Sequence, residues 1–404
     1  MKGMSFGLKE ALHLTLENIK PLTTETVCLV DSVDRVATSD LYALVDSPSI
    51  DSSRKDGYAV SSLNIADATP GNPVRLRLVG SIAAGGEEDI EVRPGTTVRV
   101  LTGARIPTGA DAVVAEEYVT QQDNDVLIDA SIDLGKNILP RGGDASRQKR
   151  ILRSGQQISP VMAGLLAAAG HNMIPVFRNP IVGIIGTGDE LVEPGKPLAE
   201  GQLYASNIIT LAGWCNRYKM KTRMTIVKDD YDAIRSALKL LSDETDAVIT
   251  SGGAWMGDYD MVVQVLEGLG WKEMFHRIRI GPGKAVGFGT LDTKPVFILA
   301  GGPPSNLMGF LQIALPGLLT LSGHANPGLP GINARLGSEL REGALNWTDF
   351  FFGTLEFNDG LPTFYPMKKR SRLSSIARAT ALASIPEGQD SIPEGSVISV
   401  QLLK

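Results

Sequence analysis

The sequence predicts a multidomain protein that combines an α/β region with all-β regions, and three patterns of apolar residues point to it. Between about 178 and 325, the continuous apolar runs IVGII (181–185), DAVIT (246–250) and PVFILA (295–300) alternate with amphipathic segments. One of these starts near Asp230 and carries Ile234, Leu238 and Leu241; another runs from about Asp260 to Leu269. Strand–helix alternation of this kind is the pattern of a parallel α/β sheet. From about 45 to 142 the texture differs: short alternating runs (Val74 to Val79, Thr97 to Leu101, Ala112 to Ala115, Val126 to Ile128) sit between Gly, Pro and Asp clusters, which reads as β structure. The tail from about 331, with INARLGSEL, FFFGTLEF, LPTFYPM and SVISVQLL, reads the same way. Helical spacing appears at Leu8, Leu12, Leu16 and Ile19, and again within 143–177, where Pro160 opens VMAGLLAAAG and Gly170 closes it.

Length and composition bound the function. The 404 residues are enough for two or three domains at roughly 150 each, so no disulfide or metal staple is needed to build a core. With 43% hydrophobic and 21% charged residues the chain is not a disordered one. A net charge of -6 argues against a nucleic-acid grip, which calls for a basic excess. No apolar run approaches the ~18 residues of a membrane span, and LKEALHLTLENIK is interrupted by charges too early for a signal-peptide core. Cys28 and Cys215 stand far apart, which excludes a disulfide framework, and with only four histidines a Cys/His zinc site is not expected. A cytoplasmic protein is expected.

The loops hold the polar chemistry. Ligands of open α/β sheets bind beyond the carboxyl ends of the strands. Here IVGII runs into GTGDEL, DAVIT into SGGAWMGDYD, and PVFILA into GGPPSN, while GPGKAVGFG (281–289) follows FHRIRI. Four glycine-rich loops in one region predict a crevice in which backbone N–H groups approach an anion. The standard phosphate fingerprints are absent: GTGDEL lacks the third glycine of the dinucleotide motif, and Lys284 precedes Ala285 rather than Ser or Thr. No G-x-S-x-G elbow is present either. The carboxylates Asp189, Glu190, Asp229, Asp230, Asp258 and Asp260, with no Cys or His beside them, suit Mg²⁺ and a phosphorylated ligand, although an aspartate at a helix start is commonly just a cap.

Several longer segments are shared with a known family. RVLTGARIPTGADAVVAEE (99–117) closely resembles R-x-M-T-G-A-x-x-P-x-G-A-D-A-V-V of the molybdopterin molybdenumtransferases, the MoeA family that includes the gephyrin E domain. DSSRKDGYAV (51–60) is similar to that family's D-N-S-A-M-D-G-Y-A, GKNILPRGGDAS to its R-x-x-G-E-D segment, and GTGDEL to S-T-G-D-E-L. SGGAWMGDYD resembles S-G-G-V-S-M-G-x-x-D-Y, and SRLSSIARATALASIPEG resembles the C-terminal L-S-S-L-A-R-A-N. These segments run in family order over nearly the whole chain. The resemblance implies a split helical domain (8–44 and 143–177) with an inserted β domain (45–142), a MogA-like three-layer α/β domain (178–326) and a C-terminal β barrel (327–404). It also implies Mg²⁺-dependent insertion of molybdate into adenylylated molybdopterin with release of AMP. The partner would be a second copy, in a homodimer whose cleft is shared between chains. A molybdopterin adenylyltransferase is a further candidate partner.

Carried over by motif, the resemblance implies a catalytic set of Asp56, Thr102, Asp144, Glu190, Asp260 and Lys284. Ser206, Asn207, Ser251, Gly252, Gly253 and Ser374 would bind the pterin or phosphate, and Glu190, Asp229, Asp230 and Asp260 would hold the metal. The departures gather in two loops. The family's K-P-G-K-P becomes GPGKA, with Gly281 at the first lysine and Ala285 at the second proline. Its L-P-G-N-P-V-S-A, laid on GPPSNLMG, puts Pro304, Ser305 and Asn306 at G-N-P and Met308 at the serine. Trp255, Ala205 and Gly143 also depart from the motifs. On that basis molybdate binding should be weak. Gly281→Lys with Met308→Ser should raise it measurably, and Lys284, Arg279, Arg370 or Arg372 are the nearby cations that could compensate. The second reading is a divergent paralogue that binds a pterin or nucleotide without inserting metal.

Overall fold

The computed structural model describes residues 6–252, 261–341, 345–357, 360–367 and 373–403. The chain forms two compact units, one of Thr26–Val176 and one of Met1–Glu25 with Phe177–Lys404. Helix Leu8–Glu17, expected with the split domain, therefore groups with the α/β unit: Ala11 is fully buried in the same apolar cluster as Leu315 and Leu318, with Leu8 and Leu12 packed against it.

In the first of these units, the inserted region is a six-stranded sheet. Its order is Ala112–Ala115, Gly57–Val60, Thr96–Val100, Val74–Ile82, Asp125–Ile128, Val119–Gln122. All four strands read from the alternating runs are present. Between 143 and 177 the helix is confined to Pro160–Ala168, capped by Ser159, whose side chain accepts from Met162 N. The stretch before it, RGGDASRQKR, has no apolar period to bury. It makes turns and the short strand Arg150–Leu152, which pairs with Leu41–Tyr42.

The α/β region is a six-stranded sheet in the order Lys221–Val227, Ile181–Thr187, Ala247–Ser251, Lys294–Leu299, Gly287–Leu291, Lys272–His276. The first four strands are parallel, and the last two are antiparallel, so the sheet is mixed rather than purely parallel. Alternate residues face opposite layers. Val182, Ile184, Ile249, Phe297 and Leu299 join the cluster that holds helix Ser206–Arg217 and the helical run from Pro303 to Leu321. Ile185, Val248, Val296 and Ile298 join the one holding helices Tyr231–Glu244 and Met261–Gly268. This is the three-layer arrangement expected. Central strands buried on both faces read as continuous apolar runs, which is why the sequence announced them. The strand Lys221–Val227 (KTRMTIV) did not announce itself, because it is an edge strand with Lys221, Arg223 and Met224 exposed.

The C-terminal region closes into a five-stranded barrel. Thr348–Glu356 pairs with Thr363–Pro366, then Gly331–Leu336, Val397–Leu402 and Ala381–Ile385 follow, and the last returns to the first. Phe351, Phe364, Ala383, Ile385 and Val400 fill its interior. Ile280–Gly281 adds to the outside of Thr348–Glu356 in parallel, tying the barrel to the loop 277–286.

Candidate functional site

A cleft of about 120 Å³ opens beyond the carboxyl ends of strands Ile181–Thr187 and Ala247–Ser251. Three of the four glycine-rich loops line it, through Thr187 and Glu190, Ser251 and Gly252, and Gly301 and Pro303. The start of helix Ser206–Arg217 forms the opposite wall. Ala205 holds the cap position of that helix and has no side-chain acceptor, so the first-turn N–H groups open on the cleft without a capping side chain. A helix start of this kind favours an anion.

The hydroxyls add neutral donors. Thr187 is 3% exposed and its Oγ1 has no hydrogen-bond partner among the described residues. A Cβ on Gly252 (φ 103°) would overlap the Thr187 carbonyl oxygen, so only glycine lets the two strand ends approach this closely. Asn207 Nδ2 donates to the Gly301 carbonyl at 2.7 Å and ties the helix start to the third loop. Asn207 is thus partly a clamp on the cleft wall rather than a free donor.

One carboxylate, Glu190, lines the cleft, and Asp229 is near enough to feel its charge. Burial, with repulsion from Asp189 and Glu190, raises the Asp229 carboxyl above the usual aspartate range. Asp229 N also donates weakly to Asp189 Oδ1 at 3.4 Å. Asp230 is the helix cap instead: its Oδ1 accepts from Ala233 N at 2.8 Å, which leaves Asp229 as the carboxylate turned toward its acidic neighbours. Among the described residues no three His, Cys, Asp or Glu side chains stand close enough to hold a metal ion. Gly253 and Asp260 lie outside the described residues, as do Arg370 and Arg372.

The remaining expected residues fall elsewhere. Asp56 and Thr102 do meet: the Asp56 carboxylate accepts from Thr102 N at 2.6 Å and from its hydroxyl at 2.7 Å, and these bonds hold it below the usual range. Both belong to the other compact unit, as does Asp144, whose N–H donates to the Ser47 carbonyl. Ser374 is exposed on the single turn Leu373–Ile376, and neither it nor the exposed Lys284 lines the cleft.

Two expectations about the departing loops, the third and the fourth, are corrected. Met308 does not face an anion; it is fully buried in the apolar cluster beneath helix Pro303–Gly309. The physical reason is a slipped register. Anchored on the strand end, L-P-G-N-P-V-S-A falls on Leu299–Ala300–Gly301–Gly302–Pro303–Pro304–Ser305–Asn306, keeping the leucine, glycine, proline and serine and placing Asn306 at the alanine. Gly281 is not an open gap awaiting a lysine either. A Cβ there would overlap Asp349 Oδ1, and Asp349 is a buried carboxylate on the neighbouring barrel strand. Nor can Arg279 swing in freely, since it donates to the Asn346 carbonyl and to Glu387. Sequence reading missed Asn306 as a site residue; it is 1% exposed, and its Nδ2 donates to both Ser251 Oγ and the Ala300 carbonyl.

Comparison with known proteins agrees with this arrangement. Residues 6–170 match the MoeA N-terminal region (domains I and II), 183–320 a probable molybdopterin binding domain, and 334–403 the MoeA C-terminal region (domain IV). The chain is 30% identical to the molybdopterin molybdenumtransferase of Bacillus subtilis, covering 100% of this chain and 95% of that protein. It is 30% identical to molybdopterin molybdenumtransferase 2 of Mycobacterium tuberculosis, covering 98% of each. The crystal structure of a molybdopterin biosynthesis MoeA protein from Pyrococcus horikoshii superposes with a TM-score of 0.83 at 28% identity, over 98% of this chain and 99% of that one. Full-length similarity in sequence and in fold leads to one conclusion: the chain belongs to the molybdopterin molybdenumtransferase (MoeA) family.

Proposed function

We propose that this protein acts in molybdenum cofactor biosynthesis as a molybdopterin molybdenumtransferase, with adenylylated molybdopterin and molybdate as substrates and AMP as a product. The observation that carries the reading is the cleft. An uncapped helix start faces the hydroxyls of Thr187 and Ser251 across a floor of small residues, with the Glu190 carboxylate in the lining. Such a cleft suits a phosphate oxygen bound by neutral donors. Glu190 and Asp229 repel one another but are too few to hold a cation by themselves, so this oxygen-only pair suits Mg²⁺ only together with phosphate oxygens of the ligand. Glu190 and Asp229 would hold it, and it would supply charge neutralisation at the phosphate oxygens. The chain's own groups orient the phosphate and exclude water from beneath it.

Asp56 and Thr102 enter the proposal from a second copy. The Asp56 carboxylate is already ionised and fixed by Thr102, so the pair is a preformed acceptor for a partner chain's ligand rather than a proton donor. Sedimentation at micromolar concentration should show a homodimer, and a monomer would remove this part of the reading. The decisive assay supplies apo-cofactor, a molybdopterin adenylyltransferase with ATP, Mg²⁺ and molybdate, and follows cofactor formation with and without this protein. No rate increase would remove the transferase reading.

One observation favours the second reading, a pterin or nucleotide binder that does not insert metal. At Gly281 the chain offers no ammonium, and the Asp349 carboxylate stands against that position. AMP binding without molybdate binding in calorimetry would select this reading.

A further inference from the structure

We propose that Asn306 is a positioning residue of the cleft: it holds the Ser251 hydroxyl in the orientation that donates to an anionic oxygen of the ligand. This rests on the reading of the cleft as a phosphate site.

The geometry fixes the hydrogen-bond directions. Asn306 is buried in helix Pro303–Gly309, and the same side-chain atom lies 2.8 Å from the Ala300 carbonyl and 2.9 Å from Ser251 Oγ. A carbonyl oxygen only accepts, so the atom beside it must be the amide nitrogen and not the amide oxygen. That nitrogen has two protons and no acceptor capacity. Ser251 Oγ therefore accepts from Asn306, and its single proton must point elsewhere.

No acceptor for that proton exists among the described residues, while Ser251 is one of the groups that line the cleft. The neighbouring strand ends in Thr187, whose Oγ1 is buried with no hydrogen-bond partner at all among the described residues. Two hydroxyl donors on adjacent parallel strand ends thus lack an acceptor within the described protein. Buried polar groups of this kind find a partner in the native state, and a ligand oxygen supplies one for both.

An alanine at 306, the residue of the aligned motif, offers no N–H. Ser251 would then lose the donor that fixes its hydroxyl and be free to rotate its proton away and present only lone pairs to the cleft. An acceptor facing a phosphate oxygen repels it. In this chain Asn306 removes that alternative by donating to the Ser251 oxygen, so that the hydroxyl proton must point elsewhere.

The test uses the full chain, AMP as the probe and adenosine as the control without phosphate, measured by calorimetry. Asn306→Ala should weaken AMP about threefold to tenfold, the worth of one hydrogen bond, and leave adenosine unchanged. Ser251→Ala should do the same. The double variant should bind AMP no more weakly than Ser251→Ala alone, because the amide acts only through the hydroxyl. Asn306→Asp, which can accept from Ser251 and turn its proton away from the cleft, should weaken AMP further. Equal losses from Asn306→Ala in both backgrounds would show a purely structural role and overturn the proposal. AMP affinity unchanged in Asn306→Ala would overturn it while leaving the phosphate site standing. Wild-type protein that binds adenosine as tightly as AMP, or binds neither, would overturn the phosphate reading and the proposal with it.

Discussion

Two glycine-rich loops at the same end of one sheet do opposite things. In the first, Gly252 lets the end of strand Ala247–Ser251 approach Thr187 so closely that the space left over becomes part of a cleft. In the second, 281–289, the glycines admit neighbouring groups instead: Asp349 stands against Gly281, and the Trp271 ring lies where a Cβ on Gly289 would sit. Both need glycine for the same reason, the absence of a Cβ. What differs is the element on the other side. Thr187 and Ser251 end parallel strands, where a helix start stands opposite and nothing fills the middle. The second loop joins two antiparallel strands and is then covered by the barrel. Glycine in a loop thus marks close approach, and only the neighbour decides whether the approach is to a ligand or to the protein itself.

The largest expected effect lies in the covered loop's surroundings. Met308→Ser removes a fully buried side chain from the apolar cluster and leaves a hydroxyl there, which should cost about 2–5 kcal/mol. Adding Gly281→Lys requires the Asp349 carboxylate to shift and does not refill the space that Met308 leaves. Urea denaturation should show the loss, with no gain in molybdate binding by calorimetry. A stable double variant that binds molybdate better than the wild type would return Met308 to the motif's serine.

That example shows where the sequence was legible. The central strands and the helix opened by Ser159 and Pro160 were readable because burial on both faces and capping chemistry leave local signatures. The three loops of the cleft were readable as strand ends. Met308 was not, because a motif with a slipped register matches residue types without regard to which face of a helix they occupy. Burial settles it: a short helix presents Asn306, Leu307 and Met308 to the interior in one turn. Asn306 was hidden for a different reason. Its partners, Ser251 and Ala300, lie 55 and 6 residues away and are brought together only by the parallel pairing of two strands.

A middle-sized effect should separate the two loops directly. Gly252→Ala and Gly289→Ala each place a methyl group on a backbone carbonyl oxygen, and each should destabilise the protein by about 1–3 kcal/mol. Only Gly252→Ala should also weaken AMP, because only that residue lines the cleft. Thermal melting and calorimetry on both variants would show it. Equal losses of AMP affinity would mean that the second loop shares the site.

A smaller effect concerns charge. The raised Asp229 carboxyl means that the folded state holds its proton more tightly than the unfolded one. Its contribution to stability is therefore fully present below the unfolded aspartate pKa of ~3.9 and is lost as pH rises through the raised value. At neutral pH the ionised group opposes folding. Asp229→Asn should raise the melting temperature at pH 7, with the gain shrinking as the pH falls toward 4. The same variant should weaken Mg²⁺-dependent AMP binding, the usual exchange of stability for function at a site. A melting temperature that falls at pH 7 would mean Asp229 is held by favourable contacts and not by burial and repulsion.

The smallest effect is expected at Lys284, the one cation that GPGKA keeps from the family's K-P-G-K-P. Its side chain is exposed, and its backbone does the structural work through the Ile278 N–H to Lys284 carbonyl bond at 3.0 Å. That bond survives any side-chain truncation. Removing an exposed charge that lacks a structural partner typically changes stability by less than ~0.5 kcal/mol, so Lys284→Ala should melt as the wild type does. Lys284 is also absent from the cleft wall, which the first three loops build without it. AMP affinity should accordingly stay within about twofold. A point charge several residues from the cleft would act only through solvent, where salt screens it over ~10 Å at 0.1 M, and titration at low and high salt tests for that residue of attraction. A tenfold loss of AMP affinity at high salt would place the ammonium against the phosphate itself. The fourth loop would then belong to the site, and the difference drawn between an open loop and a covered one would not hold.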